Sequence, residues 1–113
     1  GQGAGEGYTL NIPVSDGAGN DVYLAAFNEQ IIPAGRAFRP ELILVSAGFD
    51  AHKNDPLAGV EVTEEGFVKM TEMVMDLADS CCGGRLVSLL EGGYDLTALT
   101  RCVESHLLAL TNT

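Results

Sequence analysis

Two strings of consecutive apolar residues stand out along the chain. Leu42-Ile43-Leu44-Val45 is entered from Pro40 and leaves into the small residues Ser46, Ala47 and Gly48. The second string is RLVSLL, Arg85 to Leu90. Runs of this kind suit strands buried on both faces, which parallel sheets supply. Between them Phe67, Met70, Val74 and Leu77 recur at helical spacing. That stripe predicts a helix capped by Thr63 and stopped by Gly83-Gly84. Upstream, Tyr8 to Val14 (YTLNIPV) reads as a short strand with Pro13 near its end. From Val22 the residues Leu24, Ala25, Ala26, Phe27, Ile31 and Ile32 predict a mostly buried helix, capped by Asn20 or Asp21 and kinked or split by Pro33. Asp95 or Thr97 caps a last helix with Leu99, Cys102, Val103, His106, Leu107 and Leu110 on its apolar side.

Strands therefore alternate with helices from one end to the other. Such alternation implies right-handed crossovers and a parallel sheet, an α/β class with three layers, α/β/α. In sheets of this type ligands bind beyond the carboxyl ends of the strands. Two stretches lie there, Gly48 to Ala58 and Glu91 to Asp95.

Charge narrows the function. The chain has 113 residues, 46% of them hydrophobic, with 16 acidic and 6 basic side chains and a net charge of −10. An acidic surface repels phosphate backbones, which excludes direct nucleic-acid binding and suits cationic partners or plain solubility. No apolar run is long enough to span a bilayer, and no signal peptide is visible. The three cysteines, Cys81, Cys82 and Cys102, lack metal-finger spacing, and their odd number argues against a disulfide framework. That favours a reducing compartment, the cytoplasm or, in a eukaryote, the nucleus. The glycine-rich start GQGAGEGY carries Glu6 where a dinucleotide loop needs glycine, and it precedes a strand instead of following one. A nucleotide-binding domain is disfavoured accordingly.

The first rim stretch, SAGFDAHKNDPLAG, holds Asp50, His52 and Asp55. Carboxylate and imidazole ligate zinc and similar divalent ions. Equally, Asp50 could cap loop amides and His52 could simply be solvated. In the second stretch, LEGGYD, Gly92 and Gly93 let the backbone bend and approach a ligand closely. Tyr94 can offer its hydroxyl to a developing oxyanion, or pack its ring on the following helix.

These strings resemble a known family. PELILVSAGFDAHKNDPLAGVEVTEEGF followed by LVSLLEGGYDL looks like the closing third of the histone deacetylase and acetylpolyamine amidohydrolase family, and GEGYTLNIPV resembles the stretch just before it. The resemblance covers roughly residues 5–110 and implies an arginase-like α/β fold whose N-terminal part is absent, so that residues 1–113 form the C-terminal part of a catalytic domain. It implies zinc-dependent hydrolysis of an acetylated amine, acetyl-lysine in a peptide or an acetylated polyamine. Asp55 is similar to the family's second zinc-binding aspartate. Tyr94 is similar to the tyrosine that polarises the acetyl carbonyl. Gly92 and Gly93 match glycines beside the floor of the acyl-lysine channel. Asp50 matches a recurrent loop aspartate read as structural, His52 matches no ligand, and His106 is expected to pack.

The family's Asp-x-His zinc ligands and His-His base have no counterpart, since the only histidines are His52 and His106. Three protein ligands usually hold catalytic zinc. The isolated chain is therefore expected to be inactive and to self-associate through exposed sheet edges. The competing reading is a binding or assembly module of the same ancestry without chemistry.

Overall fold

Why the two apolar strings become neighbours is clear from the computed structural model, which describes residues 1–111. Strand β1 (Ile43–Ala47) and strand β2 (Leu86–Leu90) pair in parallel, Ile43 opposite Leu86 and Ala47 opposite Leu90. A parallel pair needs a long crossover. Here it is the loop after β1 and helix α3 (Glu64–Cys82).

Thr63 caps α3 as expected, its hydroxyl oxygen accepting from the Gly66 amide, and Gly83 ends the helix with a positive φ of 62°. Phe67, Met70 and Leu77 are buried and Val74 is half-buried. Helix α4 (Leu96–Thr111) starts directly after Asp95, whose carbonyl accepts from the Leu99 amide at 2.8 Å. Its inner side carries Ala98, Cys102 and His106. Leu107, expected on that side, is 55% exposed because it overhangs the edge of β2 beside Leu90, where no further strand lies among the described residues.

The segment predicted as a helix with a proline fault is two helices joined by a wider turn. Helix α1 (Asn20–Ala26) runs into a π-turn, Phe27–Ile31, and then helix α2 (Ile32–Phe38). The Ile32 amide reaches back five residues to the Phe27 carbonyl. Pro33 has no amide hydrogen, and the widened turn lets the chain pass it without stopping. The expected strand at Tyr8–Val14 is absent. That segment is irregular and largely exposed; Tyr8 meets Phe38 edge-on, ring centroids 6.4 Å apart, and no strand edge among the described residues runs beside it.

The α/β class with a parallel sheet is as the pattern implies. This chain supplies the sheet and one helical layer. Val45 and Ala47 of β1 and Leu86 of β2 face the helices, and the core continues through Phe49, Val62, Phe67, Met70 and Cys102. The opposite sheet face is open, with Leu44, Val87 and Leu89 exposed by 65%, 48% and 52%. No described helix is long and apolar enough to cross a membrane.

Candidate functional site

Parallel pairing brings the carboxyl ends of β1 and β2 to one rim. The loop leaving β1 and the turn leaving β2 are stitched together there: the Glu91 amide donates to the Ala47 carbonyl at 3.0 Å, and the Phe49 amide donates to the Gly92 carbonyl at 2.8 Å. Phe49 itself is 4% exposed and packs edge-to-face on Phe67 and His106. This anchors the loop one residue before Asp50.

Asp55 and Asp50 occupy different environments. Asp55 is buried, and each carboxylate oxygen accepts a backbone hydrogen bond, Oδ1 from Leu57 at 2.8 Å and Oδ2 from Tyr94 at 2.7 Å. Burial of the carboxyl works against ionisation. The amides of Tyr94 and Leu57, with those of Asp95 and Ala58, outweigh it and hold the pKa below the usual aspartate value. Asp50 is half-buried. Every fully buried side-chain polar atom among the described residues has a partner, while Asp50 takes part in no side-chain hydrogen bond, so its oxygens stay in contact with solvent. A Cβ placed on Gly92 would lie 2.7 Å from Asp50 Oδ2 and 3.3 Å from the Tyr94 hydroxyl oxygen. The free carboxylate and the phenol thus flank the same bare glycine. The Tyr23 phenol behind them is raised in pKa, first by burial and then by the charge of Asp50.

Tyr94 is 55% exposed, and its ring is not packed away on α4. The rim at this point is open. Gly93, at φ 145°, holds a conformation that side-chain-bearing residues rarely adopt, and a Cβ there would meet Leu99 Cδ1 at 2.7 Å. An apolar cavity of about 220 Å³ lies behind the loop, between Tyr23, Phe27, Val45, Met70 and His106. It carries no free carboxylate, and the chemistry-bearing groups are at the rim.

Neither histidine reaches that rim. His52, at 1% exposure, is not solvated. The Asn54 amide donates to its Nδ1 at 3.1 Å, which leaves the proton on Nε2 to be donated to Glu64 Oε1 at 3.0 Å. Cys102 lies close enough that ligand-type atoms of His52, Glu64 and Cys102 fall within 4.8 Å of one another. A metal on Nε2 would push the proton onto Nδ1, against the Asn54 amide, so this trio is better suited to clamping the loop onto α3. Burial, then the charge of Glu64, raises the Cys102 thiol to about 11, which disfavours the thiolate a metal needs. Glu64 is held low in pKa by its own backbone amide, against the effect of burial, and by His52. His106 packs as expected: its Nδ1–H donates to the Thr71 hydroxyl at 3.0 Å, Thr71 donates onward to the Phe67 carbonyl at 2.8 Å, and the Ser88 hydroxyl donates to Nε2 at 2.8 Å. Burial lowers its pKa.

Comparison with known proteins is consistent with this arrangement. Residues 1–110 match the histone deacetylase domain family. The chain is 48% identical over 103 residues to "Histone deacetylase 10, chloroplastic" of Oryza sativa subsp. japonica, covering 91% of this chain and 23% of that protein. It is 43% identical over 102 residues to "Histone deacetylase-like amidohydrolase" of Pseudomonas aeruginosa, covering 90% and 27%. Among solved structures it superposes on the HDA15 HD domain with a TM-score of 0.90 at 39% identity, covering 97% of this chain and 30% of that one. Against the histone deacetylase Clr3 the TM-score is 0.89 at 36% identity, covering 97% and 18%. The chain spans about a quarter of the length of these curated relatives. With its two parallel strands, its rim loop and its glycine-tyrosine turn all inside the matched region, the chain belongs to the histone deacetylase domain family.

Proposed function

We propose that this chain supplies one rim of a zinc-dependent deacetylase active site, acting on the acetyl amide of acetyl-lysine or of a related acetylated amine such as a polyamine. The observation that carries the reading is the meeting of the Asp55 carboxylate and the Tyr94 turn at the carboxyl ends of parallel strands, the Tyr94 amide donating to Asp55 Oδ2 at 2.7 Å. Of the two loop aspartates, Asp55 is the metal ligand in this reading, and Asp50 is structural. Each Asp55 oxygen accepts one backbone amide, which orients the carboxylate and leaves a lone pair on each oxygen for an ion. When bound, zinc activates a water and polarises the amide carbonyl. Asp55 would contribute one carboxylate toward that ion. Tyr94 donates its hydroxyl proton in a hydrogen bond to the acetyl oxygen as negative charge develops there. Gly92 and Gly93, having no side chains, leave room for the acyl group beside these two residues.

One carboxylate does not hold a catalytic zinc, so the isolated chain is inactive in this reading. The test is a hybrid in which this chain replaces the corresponding 102-residue segment of the Pseudomonas amidohydrolase. Release of acetate from an acetyl-lysine peptide by the hybrid, its loss together with bound zinc in Asp55→Asn, and no turnover by the isolated chain with added zinc are expected. A folded hybrid that keeps its turnover in Asp55→Asn overturns the ligand assignment. A folded hybrid without turnover favours a non-catalytic module of the same ancestry.

A further inference from the structure

Two consecutive amides of the loop after β1 end on one residue. The Asn54 N–H donates to His52 Nδ1 at 3.1 Å, and the Asp55 N–H donates to the His52 carbonyl at 2.9 Å. His52 to Asp55 thus close a turn, and the ring takes up an amide inside it, as short polar side chains do at the start of turns. The ring is buried, although Asn54 beside it is exposed. Its other nitrogen is fixed from outside the loop. Nε2–H donates to Glu64 Oε1 at 3.0 Å, and Glu64 is the first residue of α3. Backbone bonds also tie the loop to Val62: Val62 N–H to the Ala51 carbonyl (3.0 Å) and Lys53 N–H to the Val62 carbonyl (2.9 Å). Beyond Lys53 that support stops, and the next two amides rest on His52.

From these contacts we infer that His52 is a positioning residue for Asp55: anchored on Glu64 at the start of α3, its ring and carbonyl close the turn that presents the Asp55 carboxylate to the rim. The inference rests on the reading of Asp55 as a metal ligand, and it gives His52 no contact with the ion. An imidazole suits the task because one ring nitrogen accepts while the other donates, so a single planar group closes the turn and reaches α3. Groups behind a metal ligand decide where it points, and they do so best from a rigid element. The start of α3 is such an element, with the Thr63 side chain capping it. Glutamine at position 52 can reach Glu64 with its NH₂ group but has no acceptor where Nδ1 stands. Asparagine has that acceptor and is too short for Glu64. The two substitutions therefore separate the two halves of the device.

Three measurements test this. On the full 113-residue chain, amide hydrogen exchange is expected to show the Asn54 N–H protected although the residue is exposed, and nitrogen NMR is expected to place the His52 proton on Nε2. His52→Gln is expected to speed exchange at Asn54 and Asp55 while Val62 and the α3 amides stay slow, and His52→Asn is expected to restore the protection of Asn54. In the hybrid enzyme, competition against a chelator is expected to show zinc held about 10- to 100-fold more weakly in His52→Gln, the usual cost of losing a group behind a ligand, with KM for the acetyl-lysine peptide unchanged. An Asn54 amide that exchanges freely in the unsubstituted chain overturns the inference, as does a proton on Nδ1. So does a His52→Gln chain in which all these amides speed up together, since that is loss of general stability, or a His52→Gln hybrid that binds zinc as tightly as the parent. If Asp55→Asn leaves the hybrid's zinc in place, the ligand reading fails, while the exchange and NMR data still decide whether His52 holds the turn.

Discussion

Gly92 sits against the carboxylate of Asp50 so closely that a methyl group on it would lie 2.7 Å from Oδ2 and 3.0 Å from Cγ. Real Cβ atoms do not approach so near, so Gly92→Ala must displace Asp50, and with it the Tyr94 hydroxyl at 3.3 Å. The expected outcome is a hybrid enzyme that melts near the parent temperature but turns over at least about tenfold more slowly, because a small misplacement of reacting groups is costly. Gly93→Ala differs. Its φ of 145° and the approach of Leu99 make it a folding position, with an expected loss of about 1–3 kcal/mol in denaturant unfolding.

Tyr94→Phe removes an exposed hydroxyl that, in the proposed role, donates to the acetyl oxygen. Loss of one oxyanion donor lowers kcat roughly 100- to 1000-fold. Thermal unfolding of the 113-residue chain is expected to be unchanged, because the side chain is exposed and the backbone amide that meets Asp55 is retained. A hybrid in which Tyr94→Phe turns over normally would remove the phenol from the mechanism.

The strands, α3 and its cap were readable because each depends on local pattern: four apolar residues in a row, a stripe at helical spacing, a threonine before it. The different environments of Asp50 and Asp55 were not. Both are aspartates in one polar loop, and the difference between them lies in where distant backbone amides point, above all that of Tyr94. Whether His52 was solvated stayed open for the same reason, since its burial depends on Glu64 and on α4 folding over it. The Tyr8–Val14 segment has strand composition, yet a strand exists only with a partner. Pro33 marked a fault in the helix correctly, but only the geometry shows that the chain absorbs it as a π-turn.

Thr63 carries more than a cap. Its hydroxyl oxygen accepts from Gly66 at 3.3 Å and from the Asn20 side-chain amide at 2.7 Å, while its own amide donates to Asn20 Oδ1 at 3.0 Å. Thr63→Ala is expected to cost about 1–2 kcal/mol, the upper part of the range for an N-cap, measured by urea unfolding. Thr63→Ser, which keeps the hydroxyl, should recover most of it.

Acid should weaken the fold in two stages. His106 is buried with a lowered pKa, so the unfolded chain takes up its proton first. Its stabilising effect is complete above the unfolded value of about 6.5 and is lost as pH falls from there through the folded value. Asp55 and Glu64 are held low, so their contributions are complete above roughly pH 4 to 5 and disappear as pH falls further. Melting temperature is therefore expected to drop as pH falls below about 6.5, and the drop should be reduced in His106→Asn, whatever that variant's overall stability.

Leu44, Val87 and Leu89 form an exposed apolar row on the open sheet face. Such rows drive association. Sedimentation velocity on the 113-residue chain should show mass rising with concentration, and Leu44→Lys with Val87→Glu should hold it at that of one chain. Concentration-independent monomer behaviour of the unsubstituted chain would contradict this.

The register that places Ile43 beside Leu86 joins residues far apart in sequence, with all of α3 between them. Closing so long a span is entropically slow, whereas α3 can form from neighbours alone. Asp50 and Tyr94 hang from the far ends of these two strands, so the rim comes together only after this long-range pairing has zipped. Partial opening that frees β2 would separate the carboxylate from the phenol while α3 stayed wound, and chemistry would fail before helical content fell.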